Sequence, residues 1–200
     1  TIISALEVAH VHPDLLNAEL AQRTLLPEAH RMAALIDDLL LLARADERGL
    51  TMQAADIDLD DLAAEAVAAY REHPGVEITA DLEPARIAGD APALARVLRN
   101  LLDNAVRHAV SLIEVTVSTA AEHAVLTVSD DGPGVPVQDR RRVFDRFVRL
   151  DQDRSRSAGG TGLGLAIVAE IVAAHRGRAW LEGRPGGGTR VVVQLPLASR

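Results

Sequence analysis

The sequence predicts an α+β chain: a helical hairpin, followed by an α/β sandwich whose helices cover one face of a mixed sheet. Three observations carry this expectation. Apolar residues recur at spacings of three and four through 1–47 and again through 91–108, the period of amphipathic helices. Short stretches that alternate apolar and polar side chains, bounded by Gly, Pro and Asp, lie between and after them. Finally, 200 residues with 48% hydrophobic content can bury a sizeable core, which must be aliphatic because aromatics contribute only 2%.

Taken in order, residues 1–47 read as two helices broken near His12-Pro13-Asp14, where proline disfavours helix at the preceding residue and aspartate can cap a new one. In the second arm Met32, Leu35, Leu39 and Leu42 form a bundle-type seam, widened by Ile36, Leu40 and Ala43. Two helices cannot bury that stripe alone. A second copy completing a four-helix bundle would bury it, as would packing on the downstream domain. Pro27 predicts a kink or a late start, and Gly49 a cap that opens a linker. The domains are therefore expected at 1–48 and 49–200.

In the second domain, strands are expected at 53–59 and 76–82 around a helix at 60–71, with a short strand at 85–89 leading into the helix at 91–108. Residues 112–118 and 124–129 alternate as a hairpin pair. A short helix is expected around 140–147, anchored to the core by Phe144 and Phe147, the only phenylalanines. A helix to residue 175 and strands at 178–182 and 189–195 close the chain. Runs of strands separated by a few helices suggest the sandwich.

The formal charge of −8, from 29 acidic and 21 basic side chains, argues against a general nucleic-acid or anionic-membrane surface. Any polyanion must meet a local site. With no cysteine, disulfides and thiolate zinc are excluded. The longest apolar runs are far too short to span a bilayer, and the chain opens inside a helical pattern without an initiator Met or signal peptide, as a fragment of something longer would.

Four constellations carry chemistry. Within 91–108, Asn100, Asn104 and His108 line up four apart beside the apolar face. Asparagine is a poor interior helix residue, and its amide oxygen is a hard, neutral ligand suited to Mg²⁺ held against a polyphosphate, with Arg107 on the neighbouring face. A solvated polar stripe would look the same. Asp130-Asp-Gly-Pro-Gly134 ends a strand in a glycine turn, where an ionised carboxylate accepts from an adenine amino group and rejects a guanine carbonyl; a plain turn also fits. Val143-Phe-Asp-Arg-Phe-Val-Arg149 precedes a polar stretch that reads as a mobile lid at about 148–160, or as a simple connector. Gly159-Gly-Thr-Gly-Leu-Gly164 runs into a helix whose first amides would form an anion site, though it has neither the P-loop nor the dinucleotide spacing and a simple flexible turn also fits.

In this order the four elements resemble the catalytic and dimerisation core of bacterial sensor histidine kinases, whose ATP-binding domain has the Bergerat-type fold shared with gyrase, heat-shock chaperone and mismatch-repair ATPases. The resemblance is most specific from Asn100 to Thr189. In 1–50 it rests on Asp37-Asp-Leu-Leu-Leu-Leu-Ala-Arg44. It implies ATP and Mg²⁺ as cofactors, with Asn104 as metal ligand, Asn100 in support, and Arg107 and His108 near the phosphates. Asp130 would read adenine in a pocket shaped by Gly132 and Gly134 and lined by Val135, with Thr189 on the adenine side. Phe147 and Arg149 would open the lid, and Gly160, Thr161, Gly162, Leu163 and Gly164 would form the loop beneath it. The implied partners are a second copy through the hairpin and a response-regulator receiver domain. The implied location is the cytoplasmic face of the plasma membrane, with the membrane reached only through segments outside this sequence and no role for nucleic acid.

One departure matters. The family's phosphoacceptor motif, His-Glu/Asp-x-x-x-Pro, does not occur, and Thr1-Ile-Ile-Ser-Ala-Leu-Glu7 looks like the sequence just downstream of it. The acceptor histidine is thus expected before residue 1, leaving a chain that binds ATP without phosphorylating itself. An ATP-regulated binding module or an anti-sigma-type serine kinase are the alternatives.

Overall fold

Helix propensity and apolar spacing set the first element. A computed structural model describes residues 25–71, 73–150 and 161–198, and only the backbone of Arg48. The expected break at 12–14, the first hairpin arm, residues 151–160 of the lid and Gly160 lie outside the described residues. The chain falls into two compact units, Thr1–Glu47 and Arg48–Arg200. In the first, α1 spans Leu26–Arg48, with Pro27 in its first turn and Leu25 in π-helical geometry just before it. The seam keeps Met32, Ile36, Leu39 and Leu40 45–54% exposed, while Leu42 is buried.

In the second unit, β1 (Ala55–Asp58) leads directly into α2 (Leu59–Tyr70). The strand is shorter than expected because the helix begins a residue earlier. Asp58, at the cap position, gives its carboxylate to Arg86 across the strand pair instead of to the helix amides (Nε to Oδ1, 2.9 Å). Then come β2 (Glu77–Leu82), β3 (Arg86–Gly89), α3 (Ala91–His108), β4 (Leu112–Ala120) and β5 (His123–Asp130). After two 3₁₀ turns, Val137–Asp139 and Arg142–Phe144, the chain ends with α4 (Gly164–Ala174), β6 (Arg178–Gly183) and β7 (Thr189–Pro196).

The main sheet is mixed, in the order β2-β4-β5-β7-β6, with β2 parallel to β4 and all other pairs antiparallel; β1 and β3 form a separate antiparallel pair. Strand alternation divides it into two faces. Inward-pointing Ile113, Val115, Val117, Leu126, Val128, Val191 and Val193 are buried. They form the sheet's side of the core, over which α2, α3 and α4 lie. Glu114, Thr116, Thr127, Gln194 and Trp180 occupy the other face, half-buried. Leu94, Val97, Leu98, Leu101, Leu102 and Ala105 of α3 are buried, as their spacing predicts. Each of these leucine and valine side chains contributes about 1.5–3 kcal/mol relative to exposure.

The expected short helix at 140–147 is not there. Two 3₁₀ turns replace it, and Phe147 leaves the helical region at φ 63°, donating its N–H to the Gly162 carbonyl (2.9 Å). Phe147 is 65% exposed, so it does not anchor the segment in the core. Its backbone is held by the glycine loop, and that bond replaces helical pairing.

Candidate functional site

The site is built on α3, whose start and end are both pinned. Asp90 caps it, accepting from the Ala93 N–H at 3.0 Å through Oδ1 and from the Gln53 N–H at 3.0 Å through Oδ2. The Asp90 N–H in turn donates to Nε2 of buried His175 (3.0 Å), whose Nδ1 lies 2.7 Å from the Ile171 carbonyl. Both bonds exist only for the neutral imidazole carrying its proton on Nδ1. His175, at the end of α4, therefore locks the start of α3.

At the other end, Asp131 accepts from the N–H groups of Val110 (2.8 Å) and Ser111 (3.0 Å) and from the Ser111 hydroxyl (2.7 Å). Partial burial pushes this carboxyl up, but those bonds outweigh it and hold it far below the usual carboxylate range. The loop leaving α3 is thereby fastened to the turn after β5. The fit is close: a Cβ on Gly132 would collide with the His108 carbonyl, so only glycine lets turn and helix meet.

Asp130 is 3% exposed and accepts from the Gly132 N–H through Oδ1 (2.9 Å). Burial pushes its carboxyl above the ordinary range, while the Gly132 N–H, the nearby His108 and the Thr189 N–H pull it back. Asp130 pairs in register with Thr189 at the start of β7, and Thr189 is buried as well. The glycine loop reaches α3 from the other side, where Asn100 Nδ2 donates to the Gly164 carbonyl (3.3 Å). Gly162, at φ +71°, packs its α-carbon against the Phe147 backbone, and Thr161 accepts from the Leu163 N–H through its hydroxyl (3.2 Å). The Phe/Arg segment is tied down again by Arg146 and Glu170 of α4 (3.4 Å).

The expected residues thus meet in a closed circuit: Asn100 to Gly164, Gly162 to Phe147, His108 to Gly132, Asp130 to Thr189. Asn104 lies one turn beyond Asn100, half-buried and without a hydrogen bond among the described residues. Gly134 stands in left-handed geometry with half-buried Val135 after it, and Leu163 is buried. Arg149 is half-buried and Arg107 exposed. Among the described residues, no group of three or more His, Cys, Asp or Glu side chains could hold a metal by itself.

Sequence reasoning missed Asp90, Asp131 and His175, all positioning residues. Asp90 was legible, since aspartate followed by Ala91-Pro92 is a helix-start signature. His175 carried no such signal.

A buried carboxylate facing a glycine turn, an unpaired amide on the adjoining helix and a glycine loop opening a second helix define an adenine-nucleotide-binding sandwich of the ATPase type. Comparison with known proteins agrees. Residues 89–199 match the family described as histidine kinase-, DNA gyrase B-, and HSP90-like ATPase, and the chain belongs to it. The probable sensor histidine kinase TcrY of Mycobacterium tuberculosis (strain H37Rv) is 43% identical over 175 residues, covering 85% of this chain and 36% of that protein. The sensor histidine kinase CpxA of Escherichia coli K12 is 38% identical over 182 residues, 86% of this chain and 39% of that one. The crystal structure of full-length ShkA in complex with AMPPNP superposes with a TM-score of 0.79 at 28% identity, over 92% of this chain and 40% of that chain. This chain therefore spans well under half the length of these curated relatives.

Proposed function

We propose that this chain is the ATP-binding and dimerisation part of a sensor histidine kinase. In the whole protein, the γ-phosphoryl of ATP passes to a histidine on the hairpin and then to an aspartate of a response-regulator receiver domain. The observation that supports this best is the closed circuit joining α3, the turn after β5, the Phe/Arg segment and the glycine loop, four stretches far apart in sequence. In this reading Asp130 accepts from the adenine amino group, and the first amides of α4 face the phosphates. Asn104, whose amide makes no hydrogen bond among the described residues, offers a hard oxygen that fits Mg²⁺; the ion would supply charge neutralisation, with the nucleotide's own phosphates completing its coordination. Catalysis by these residues is then positioning and electrostatics, as phosphoryl transfer asks.

The exposed seam of α1 supports pairing with a second copy, since Met32, Ile36, Leu39 and Leu40 present a continuous apolar stripe. Among the described residues no helix is long and apolar enough to cross a membrane. A cytoplasmic position, with attachment to the plasma membrane through other segments, belongs to the same proposal.

The test is calorimetric titration of MgATP into this chain, joined to labelling of the full-length protein. Saturable heat, with acid-labile phosphate on a histidine of the full-length protein, is expected. Absence of heat from well-folded material overturns the nucleotide reading. Heat without histidine phosphate favours the ATP-regulated binding module.

A further inference from the structure

A cationic cluster lies at the opposite end of the domain from the nucleotide site. His123, Arg176, Gly177, Arg178 and Gln194 line a depression of about 250 Å³. Register builds it: Gln194 of β7 pairs with both Val125 of β5 and Arg178 of β6, so their side chains share the outer face of the sheet, and His123 is two residues from Val125 on that same face. Arg176 enters from the end of α4. No carboxylate lines the depression, and the side chains of His123, Arg176 and Arg178 make no hydrogen bond or ion pair among the described residues. Elsewhere on this face the polar groups have protein partners: Arg184 pairs with Glu114 at 2.8 Å, Glu182 accepts from the Trp180 indole N–H at 2.7 Å, and Arg190 donates to the Ser129 hydroxyl at 3.2 Å.

Arg176 also stands at φ 58°, the left-handed position after a helix that glycine or asparagine normally occupies. An arginine held there is strained, and such outliers concentrate at functional sites. The negative end of α4 favours a cation at 176. It does not call for a second arginine on β6 and a histidine on β5.

We propose that this cluster is a binding site for a phosphate-type oxyanion, either inorganic phosphate or the phosphate of a small monoester. Two guanidinium forks, an imidazole and a carboxamide supply donors on rigid strands and a helix end, the combination that holds a dianion by bidentate, charge-assisted bonds. The site is separate from the nucleotide pocket. β5 runs the length of about eight strand residues, roughly 25 Å, between His123 and Asp130, and α4 spans about 16 Å between Gly164 and the residues before Arg176.

Trp180, the only tryptophan, sits two residues from Arg178 on the same face and reports on the site. Inorganic phosphate and glycerol 3-phosphate are titrated separately against sodium chloride at matched ionic strength and constant pH. Tryptophan fluorescence and the amide shifts of Gly177 and Arg178 are followed together. A saturable response with a millimolar midpoint is expected, retained in Asp130→Asn and weakened about tenfold or more in Arg176→Gly and in Arg178→Ala. Because glycine relieves the left-handed strain, Arg176→Gly should melt at or above the wild-type temperature while losing the anion, a combination that a merely structural arginine would not give. A larger response to the ester than to phosphate identifies a monoester ligand, and equal responses identify the free ion. No saturable response beyond chloride, or a midpoint unchanged in Arg176→Gly, overturns the proposal.

Discussion

Replacing Asp130 by asparagine separates recognition from folding, because the two side chains share a shape and differ in charge and donors. In the wild type Oδ1 already accepts from the Gly132 N–H at 2.9 Å. The asparagine carbonyl must take that place, which turns its NH₂ toward an incoming adenine amino group. A charged hydrogen bond worth about 1.5–3 kcal/mol is lost and a buried donor is left facing another, for a total of about 3–5 kcal/mol, or roughly two to four powers of ten in Kd. Stability moves the other way. Burial raises the Asp130 carboxyl above its ordinary range, so the ionised form opposes folding: the native state is favoured while the group is protonated, and that advantage is lost as pH rises through the folded-state value. At neutral pH Asp130→Asn should therefore melt no lower than wild type, with the difference vanishing in acid. Isothermal titration with MgATP and thermal unfolding by circular dichroism read the two effects. Wild-type affinity in the variant, or loss of its cooperative melt, would refute the assignment of Asp130 as the adenine reader.

Asn104→Ala should weaken binding of MgATP while leaving metal-free ATP little changed, which titrations with and without EDTA compare; equal losses in both would remove Asn104 from metal duty. Gly132→Ala forces a methyl group into the His108 carbonyl and should abolish nucleotide binding while the far-UV spectrum is retained. His175→Ala removes the bonds to Asp90 and Ile171 and leaves a cavity in a buried position. About one kcal/mol for each bond plus about 1–2 for the cavity gives roughly 3–4 kcal/mol, a drop of about 6–16 °C in Tm for a domain of this size, measured by calorimetry. Asp131→Ala should lower Tm at neutral pH. The stabilisation from its depressed carboxyl is present above the unfolded-state value of about 4 and fades as pH falls below it, so the gap to wild type should close in acid.

The sequence marked α3 to the residue, because the repeat of Leu94, Val97, Leu98, Leu101 and Leu102 has one period. Strands β4 and β5 were plain from their alternation, and all four strands from β4 to β7 were placed with ends displaced by one or two residues. The Phe/Arg segment misled for a definite reason. Phe144 and Phe147 have helical spacing, but the backbone bond that takes Phe147 out of the helix comes from Gly162, fifteen positions away and silent in any local window. His175 was hidden in the same way: its partner Asp90 lies 85 residues earlier, and only the packing of α4 against α3 brings them within 3.0 Å.

Local chemistry therefore determined the parts and their vocabulary: an aliphatic core, a helix carrying amides, a carboxylate turn and a glycine loop, all readable because period and turn residues are properties of a few neighbours. Tertiary structure decided which of those parts face one another. It left the Asn104 amide without a hydrogen bond among the described residues while the Asn100 amide N–H is engaged by the Gly164 carbonyl, and it set Asp131 to fastening a loop while Asp130 is buried against the Gly132 N–H. It also gathered two arginines and a histidine at the far end of the sheet. The physical reason is that strand register and helix packing are fixed by the whole buried surface at once, and no stretch of sequence contains its own distant partner.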